Sequence, residues 1–538
     1  MKQEGDKMDF AEIFKRAKGG LKRPALSAAI ACAVATPAIG SPPAAQEVVR
    51  VAPAVAPLPA VTDAIPVTES SWPWAAADRA LAPIDLAAHG YVEEEFFVTG
   101  TARVFDMPDS GTLTTFAQGP YTTRILVRRP ARPADFSGSV VVEPLNPSIR
   151  YDLPIMWGES HASYMRNGDI WIGVTVKPIA VATLKEFDSQ RYGALEFPNP
   201  LPPALTCSQD RLPLPRGGLP PESSPATENG LIWDILSQVA ALARDGKQGG
   251  PLSGFDVSRV YMAGDSQSGA FVLTYANFIH QYALDQNRTP LYDGYLAAVA
   301  SDPGTPLNQC ATPLPTDDPR MEVADLGVPV IVMVSESEIG SLRRRPDSDL
   351  APDLFRGYEV AGASHIHEGG EAGSPSPIDA AKTSGAAFDN ANACEEQDMP
   401  GNDVPFAMLL SGAFRNLDRW SREGVPPPRA EPLQVEKPGT RDAKVLTDEF
   451  GNALGGLRTP QLDVPVARYY HRMTGPGICE LWGYREPFSA DVLEALYPTQ
   501  EAYLSRFRES VESLVAERWI EPEDGHELIR QAAVPPPP

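Results

Sequence analysis

The stretch VYMAGDSQSGAFVLTYANFIH, residues 260–280, joins an apolar run to a segment with helical spacing through a corner of small residues. An apolar run that ends in glycine is typical of a buried strand, and the residues after the two serines are typical of a helix. A side chain that projects from so sharp a turn needs small residues two positions before and after it. Both Ser266 and Ser268 meet this requirement. Because the apolar strand ends at Ala263–Gly264, the corner falls on 265–267, and we predict that Ser266 is an exposed nucleophile.

The same corner has a simpler explanation, in which Ser266 only caps the following helix by accepting a hydrogen bond from a backbone N–H. A short Gly-x-Ser-x-small pattern recurs by chance, and here Ser268 stands where glycine is usual. The position of the pattern between a predicted strand and a predicted helix favours the nucleophile.

A serine nucleophile needs a base that accepts its proton and a carboxylate that orients the base. In hydrolases with this corner, the chain order is serine, acid, histidine. Downstream, the apolar run VPVIVMV leads to two glutamates, and FRGYEVAG leads to two histidines. We predict that His365 is the base, since it comes first after small residues, and that the acid is Glu338 or Glu336. The alternatives are a histidine packed in a loop and carboxylates in contact with solvent.

The string His365–Ile366–His367–Glu368 also resembles a metal-binding pattern, since two histidines two positions apart can ligate one ion. The sequence has only seven histidines, and no further cluster of histidine and carboxylate residues completes a site. We therefore expect neither a metal ion nor another cofactor. The other histidines are expected at the surface or in packing: His89, His161, His280, His471 and His526.

Attack on an ester produces an oxyanion, which requires fixed hydrogen-bond donors. One donor is expected to be the backbone N–H of Gln267, the residue after the nucleophile. The second is expected from the loop after an earlier strand, and EPLNPS (143–148) follows the apolar run SVVV. We predict that Leu145 and Asn146 are oxyanion or substrate-binding residues, with Asn146 either fixing the loop or lining the pocket; the sequence leaves open which N–H of the loop donates.

Apolar runs alternate with amphipathic segments along the middle of the chain. We predict buried strands at 138–146, 168–178, 292–301 and 328–336, further strands at 257–264 and 355–362, an exposed strand at 121–130, and helices at 231–246, 268–282 and 505–520. Strands that alternate with helices imply a mostly parallel sheet with helices on both faces. Such a sheet carries its chemistry at the carboxyl ends of its strands.

Several segments together resemble the alpha/beta-hydrolase superfamily, and within it a bacterial family named for its alpha/beta hydrolase domain. The segments are VVVEPLNPS, WDILSQVAAL, VYMAGDSQSGA, YDGYL, VSESEIG, FRGYEVAGASH, GGLRTPQLDVPVARY and CELWGYREPFSADVLEALYPTQEAY. The resemblance implies an α/β fold with a lid insertion and a C-terminal extension. It also implies a serine hydrolase with Ser266 as nucleophile, His365 as base and an acid in Glu336–Glu338. It implies esterase-type activity and no particular substrate.

On this interpretation the chain has three parts. Residues 1–45 are an export segment, in which basic residues precede an apolar, alanine-rich stretch and a potential cleavage site. Residues 46–89 form a linker or strap, and 90–538 form the hydrolase domain, with a lid at about 179–227 and an extension from about residue 400. We expect a periplasmic or secreted protein without membrane insertion; the alternative is that 1–45 is an ordinary tail.

Charge and cysteine content restrict the partners and the compartment. The formal net charge of −24 argues against nucleic acid and anionic membrane, which both require a basic face. Of five cysteines, Cys32 would leave with the export segment, and four would remain. Four cysteines allow three pairings. We predict Cys207–Cys310 and Cys394–Cys479, and the alternative is four buried thiols.

Together these features predict an enzyme that hydrolyses a small-molecule carboxylic ester through an acyl-enzyme. The alternatives are a hydrolase-fold binding protein without turnover, and acyl transfer or peptide cleavage by the same three residues. The sequence indicates neither the oligomeric state nor the identity of the ester.

Overall fold

A large mixed sheet runs through the protein, and six neighbouring strands at its centre are parallel. The computed structural model describes residues 49–108, 111–203, 205–207, 224–246, 249–368, 370–384, 394–440 and 442–533. The predicted α/β fold, with a mostly parallel central sheet and helices around it, is confirmed.

The strands of the described residues are β1 (Val49–Arg50), β2 (Ala54–Val55), β3 (Ala60–Val61), β4 (Tyr91–Asp106), β5 (Thr114–Pro130), β6 (Ser139–Pro144), β7 (Ile170–Val174), β8 (Arg259–Asp265), β9 (Ala283–Leu284), β10 (Gly294–Ala298), β11 (Val330–Ser335), β12 (Ser348–Leu350), β13 (Asp353–Val360), β14 (Val435–Glu436), β15 (Lys444–Val445), β16 (Ala467–Tyr470) and β17 (Tyr484–Pro487). The helices are α1 (Ile155–Asn167), α2 (Pro178–Phe187), α3 (Ser189–Tyr192), α4 (Ile232–Asp245), α5 (Gln267–Phe278), α6 (Pro377–Ala380), α7 (Phe406–Glu423), α8 (Pro460–Asp463), α9 (Ala490–Leu496), α10 (Gln500–Ala516) and α11 (Pro522–Ala532).

The order of strands in the main sheet is β12-β13-β11-β10-β8-β6-β7-β5-β4-β3, and β1 pairs with β5. The parallel part runs from β7 to β13, and β8 lies inside it. The carboxyl ends of parallel strands meet at one edge of a sheet. The residues that follow β8, β11 and β13 therefore gather at the same edge.

The parallel strands are buried on both faces, which explains why the sequence shows them as continuous apolar runs. All residues of β6, β7, β10 and β11 are buried. The predicted strands and helices of this region are present, with bounds that differ by a few residues. The helix predicted to reach residue 282 ends at Phe278, because His280–Tyr282 form a short 3₁₀ turn instead.

The prediction of an exposed strand at 121–130 is wrong. These residues end the longer β5, and most of them are buried. The side chains of Arg124 and Arg128 are fully buried, and each forms an ion pair with a glutamate of β4. Arg124 also pairs with Asp152 at 3.0 Å. Charged residues that suggest contact with solvent are here neutralised inside the protein.

Residues 49–89, expected as a linker or strap, take part in the sheet and the core. β1 pairs with β5, β3 with β4, and β2 with β9. Trp74 is fully buried, with its ring stacked on Tyr151 and edge-on to Phe187. This segment is thus integrated into the domain that it precedes.

Other sequence expectations meet the structure unevenly. The export segment lies outside the described residues, and so does most of 204–223 in the expected lid. In the described part of that lid, most side chains of α2 and half of those of α3 are buried. The predicted helix at 505–520 is present as α10, which buries Phe507, Val511 and Leu514. Within the part of the chain that is described, no helix combines the length and apolar character needed to cross a bilayer.

Both predicted disulfide bonds are present in the structure. Cys207 is bonded to Cys310, and Cys394 is bonded to Cys479, with Cα–Cα distances of 5.6 and 5.5 Å. The first bond ties the middle of the expected lid to the loop after β10. The second bond ties two segments that follow the last strand of the main sheet.

Candidate active site

Ser266 occupies the turn between β8 and α5 in a backbone conformation that non-glycine residues rarely adopt. Its φ is 54° and its ψ is −119°. Such strain persists only where the surrounding structure enforces it. A Cβ atom on Gly264 would lie 2.5 Å from the carbonyl oxygen of Ser268, so the residue two positions before Ser266 has no room for a side chain. This is the geometry that the small residues of the corner predict.

The two serines of the corner have different environments. The side chain of Ser266 does not cap α5. Ser268 is fully buried, and its hydroxyl bonds with the backbone of Asp265, accepting from the N–H at 3.0 Å and donating to the carbonyl at 2.9 Å. Ser268 therefore supports the turn, and Ser266 does not serve as a helix cap.

Ser266, His365 and Glu338 form a continuous line of hydrogen bonds. The Oγ of Ser266 lies 2.9 Å from Nε2 of His365, and Nδ1 of His365 lies 2.7 Å from Oε1 of Glu338. The other oxygen of Glu338 accepts hydrogen bonds from the N–H and Oγ–H of Ser335, at 2.8 and 2.7 Å. Burial opposes protonation of His365, but the hydrogen bond and charge of Glu338 outweigh burial, so the pKa of His365 is raised.

Glu336, the second candidate acid, has other partners. Its Oε1 lies 3.0 Å from Nδ1 of His471, and its Oε2 accepts a hydrogen bond from the N–H of Gly362 at 2.9 Å. Of the two glutamates that the sequence left open, the one in contact with His365 is Glu338. His471, expected at the surface or in packing, contacts a carboxylate beside this line of hydrogen bonds.

The loop that carries His365 is held by residues far along the chain. The N–H of Ile366 donates to the carbonyl of Leu481 at 2.8 Å. The side chain of Asn402 donates to the carbonyl of Gly362 at 2.7 Å. Residues that follow the main sheet in sequence thus fix the loop at the edge of that sheet, and the sequence contains no local sign of these contacts.

The second histidine of this loop is directed away from Ser266. Nε2 of His367 lies 2.7 Å from Oε2 of Glu159 on α1, and the His367 ring packs against Phe406. Among the residues that the structure describes, no group of three or more histidine, cysteine or carboxylate side chains forms a potential metal site. The pattern at 365–368 is thus divided between two separate pairs.

Asp265, which directly precedes the nucleophile, is a buried carboxyl group that the sequence reasoning did not single out. Burial, with further contributions from Glu159 and Glu338, raises the pKa of Asp265 well above its ordinary value, although His365 opposes the shift.

The N–H groups proposed for the second oxyanion donor already have acceptors. The N–H of Leu145 donates to Val174 and that of Asn146 to Leu153, each at 2.9 Å. Because both N–H groups are already bonded, the expectation that one of them donates to an oxyanion does not fit the structure. The side chain of Asn146 instead donates to the carbonyl of Asp265 at 2.9 Å, which fixes the loop against the nucleophile turn.

The next residues of the same loop are strained. Ile149 and Arg150 have φ values of 56° and 75°, and a β-branched residue is rare in this conformation. The Oγ–H of Ser148 donates to the side-chain carbonyl of Gln267 at 3.2 Å, so the loop touches the first residue of α5. N–H groups in the first turn of a helix have no acceptor within that helix, and Gln267 stands at that position.

A family model described as an alpha/beta hydrolase domain matches residues 56–530. No curated protein matches the chain in sequence. Solved structures with some similarity include the esterase Est22, 14% identical over 47% of this chain and 66% of its own, just under two thirds, with a TM-score of 0.24. A putative dienelactone hydrolase from Klebsiella pneumoniae is 12% identical over 46% of this chain and 74% of its own (TM-score 0.22). A glucuronoyl esterase from Solibacter usitatus is 10% identical over 54% and 71% (TM-score 0.27).

These likenesses between structures are too low to carry an argument about function. The family model covers nearly the whole of the 538 residues, including every strand of the parallel sheet and the residues gathered at its carboxyl edge. The protein belongs to the alpha/beta hydrolase domain family.

Proposed function

We propose that the protein is a serine hydrolase that cleaves a small-molecule carboxylic ester through an acyl-enzyme intermediate. The observation that carries the proposal is the line of hydrogen bonds from Ser266 through His365 to Glu338, which begins at a strained turn. This is the arrangement that nucleophile, base and orienting acid require. Membership of a hydrolase family supports the same reaction class.

In the proposed mechanism, Ser266 Oγ attacks the ester carbonyl carbon while His365 Nε2 accepts the hydroxyl proton. Glu338 stabilises the resulting imidazolium through Nδ1. The tetrahedral intermediate then breaks its C–O bond to the alcohol, and His365 returns the proton to that alcohol. Water, activated by His365, attacks the acyl group, and Ser266 leaves with the proton restored.

For the oxyanion we assign two backbone donors. The first is the N–H of Gln267, at the start of α5, where the helix dipole also favours negative charge. The second is the N–H of Ile149, the next donor in the loop after those of Leu145, Asn146 and Ser148, which are already bonded. The support is the positive φ of Ile149, because backbone strain of this kind clusters at functional sites.

The test is labelling with a fluorophosphonate probe, which modifies an activated serine. We expect the wild-type protein to be labelled and Ser266→Ala to be unlabelled. Ser505→Ala is the control, because it removes an exposed serine hydroxyl on α10, outside this corner, and should retain labelling. A correctly folded wild-type protein without labelling would contradict the proposal and favour a binding protein without turnover. A panel of nitrophenyl esters of different acyl length would then define the substrate class.

We also propose that the protein works in an oxidising compartment, the periplasm or the exterior. The support is the pair of disulfide bonds, since such bonds persist outside the reducing cytosol. Fractionation of cells, followed by thiol labelling with and without reductant, tests this. A cytosolic protein whose four cysteines all react without reductant would refute it.

A further inference from the structure

Three hydrogen bonds join the turn that carries Glu338 to the loop that carries His365. The N–H of Glu336 donates to the carbonyl of Ala363 at 3.1 Å, and the N–H of Gly362 donates to the Glu336 carboxylate at 2.9 Å. The N–H of His365 itself donates to Oγ of Ser337 at 3.1 Å. The loop of His365 is thus hydrogen-bonded to Glu336 and Ser337, the two residues that directly precede Glu338 in the sequence.

His471, one residue after β16, closes this arrangement from a third segment. Its carbonyl accepts a hydrogen bond from Oγ–H of Ser337 at 2.9 Å, and its Nδ1 lies 3.0 Å from Glu336 Oε1. Nε–H of Arg472 donates to Nε2 of His471 at 2.9 Å. Because Nε2 accepts this bond, the imidazole carries its proton on Nδ1 and donates it to Glu336.

We propose that His471 is a positioning residue for His365, whose side chain acts through Glu336; this inference rests on the proposed function. The Glu336 carboxylate is nearly buried, with 9% of its side chain exposed, so it depends on its partners. One of its oxygens holds Gly362, which turns the chain with a φ of 72° three residues before His365. His471 holds the other oxygen.

Loss of His471 frees the Glu336 carboxylate to rotate, and the turn at Gly362 then loses its fixed acceptor. The imidazole of His365 must remain 2.9 Å from Ser266 to accept a proton. Small displacements of a catalytic group reduce the rate of the chemical step while substrate binding remains. The expected signature is therefore a lower kcat with little change in KM.

The experiment compares His471→Ala, His471→Asn and wild type by active-site titration with the fluorophosphonate and by ester hydrolysis. For His471→Ala we expect kcat per titrated serine to fall by roughly 10- to 100-fold, with KM within about twofold. In His471→Asn the side-chain amide restores a donor near the position of Nδ1. Most of the lost kcat should return in this variant. His526→Ala, which removes an exposed histidine on α11, is the matched control and should leave kcat unchanged.

Titration separates positioning from stability. If His471→Ala lowers only the fraction of titratable serine, and each remaining site turns over at the wild-type rate, the role is structural and the proposal is overturned. It is also overturned if the asparagine variant is as impaired as the alanine variant. A wild-type protein that reacts with neither probe nor ester removes the proposed function, and this inference falls with it.

Discussion

Replacing Glu338 by glutamine, which changes one oxygen to an amino group, should nearly abolish turnover. The Oε2 atom of Glu338 accepts two hydrogen bonds from Ser335, one of them from a backbone N–H. The amide of glutamine must place its oxygen there, which directs its amino group at Nδ1 of His365, 2.7 Å from the present carboxylate oxygen. The amino group donates, so Nδ1 must then accept.

An accepting Nδ1 moves the imidazole proton to Nε2, which faces Ser266 and can no longer accept the serine proton. A wrong tautomer of this kind in another serine hydrolase reduces kcat about 10⁴-fold, and we expect a loss of that order here. This loss corresponds to about 5 kcal/mol of transition-state stabilisation. KM should change little, because Glu338 contacts His365 and Ser335 and is separated from Ser266 by the imidazole.

The assay is steady-state hydrolysis of a nitrophenyl ester, with thermal melting as a check on folding. Glu336→Gln is the matched control: the same chemical change two residues away, on a carboxylate that contacts His471 and Gly362. It should lose at least tenfold less kcat than Glu338→Gln. Equal losses in the two variants, or a Glu338→Gln enzyme within tenfold of wild type, would refute the tautomer argument.

Three further predictions concern pH, packing and charge. Because the pKa of His365 is raised, kcat/KM should fall as pH decreases through a value above the ordinary histidine pKa of about 6.5, and a pH–rate profile with its inflection at or below that value would contradict this. Gly264→Ala places a Cβ atom 2.5 Å from the Ser268 carbonyl; denaturant unfolding should show a loss of about 1–3 kcal/mol, and an unchanged midpoint with full activity would refute the steric argument. Arg124→Met leaves buried Asp152 without its cation, and Glu95 with Arg191 alone, and should cost about 3–5 kcal/mol; a loss under 1 kcal/mol would refute this argument.

The parts of the site that the sequence predicts are those that depend on residues close together in the chain. The nucleophile turn is encoded within residues 260–280, where a strand pattern, small residues and a helix pattern follow one another. The base and acid are predictable from their position after apolar runs, because parallel strands bring such residues to one edge. The sequence does not decide between Glu336 and Glu338, because the decision depends on which carboxylate contacts His365, and the partner of the other one, His471, lies 135 residues from Glu336.

The remaining misjudgements have the same physical origin. The pattern at 121–130 looked solvent-exposed, because the carboxylates that neutralise Arg124 and Arg128 lie on other segments. The N–H groups of Leu145 and Asn146 looked available, because their acceptors lie on a neighbouring strand and across the loop. A local sequence pattern indicates the chemistry of a side chain but not which distant residue it contacts. Buried polar contacts are therefore the features that sequence predicts least well.

The contacts from Leu481 and Asn402 to the loop of His365 bear on how far this enzyme could be shortened. A fragment that stopped near residue 400 would keep Ser266, Glu338, His365 and every strand of the parallel sheet. It would lack Leu481 and Asn402, the partners of Ile366 and Gly362. It would also lack α7, which packs against β10 and β11, and would expose the face of those strands that α7 covers. Trimming the chain to its sheet would retain the reactive side chains and remove the contacts that hold the loop of His365. The chain is therefore better shortened within its surface loops.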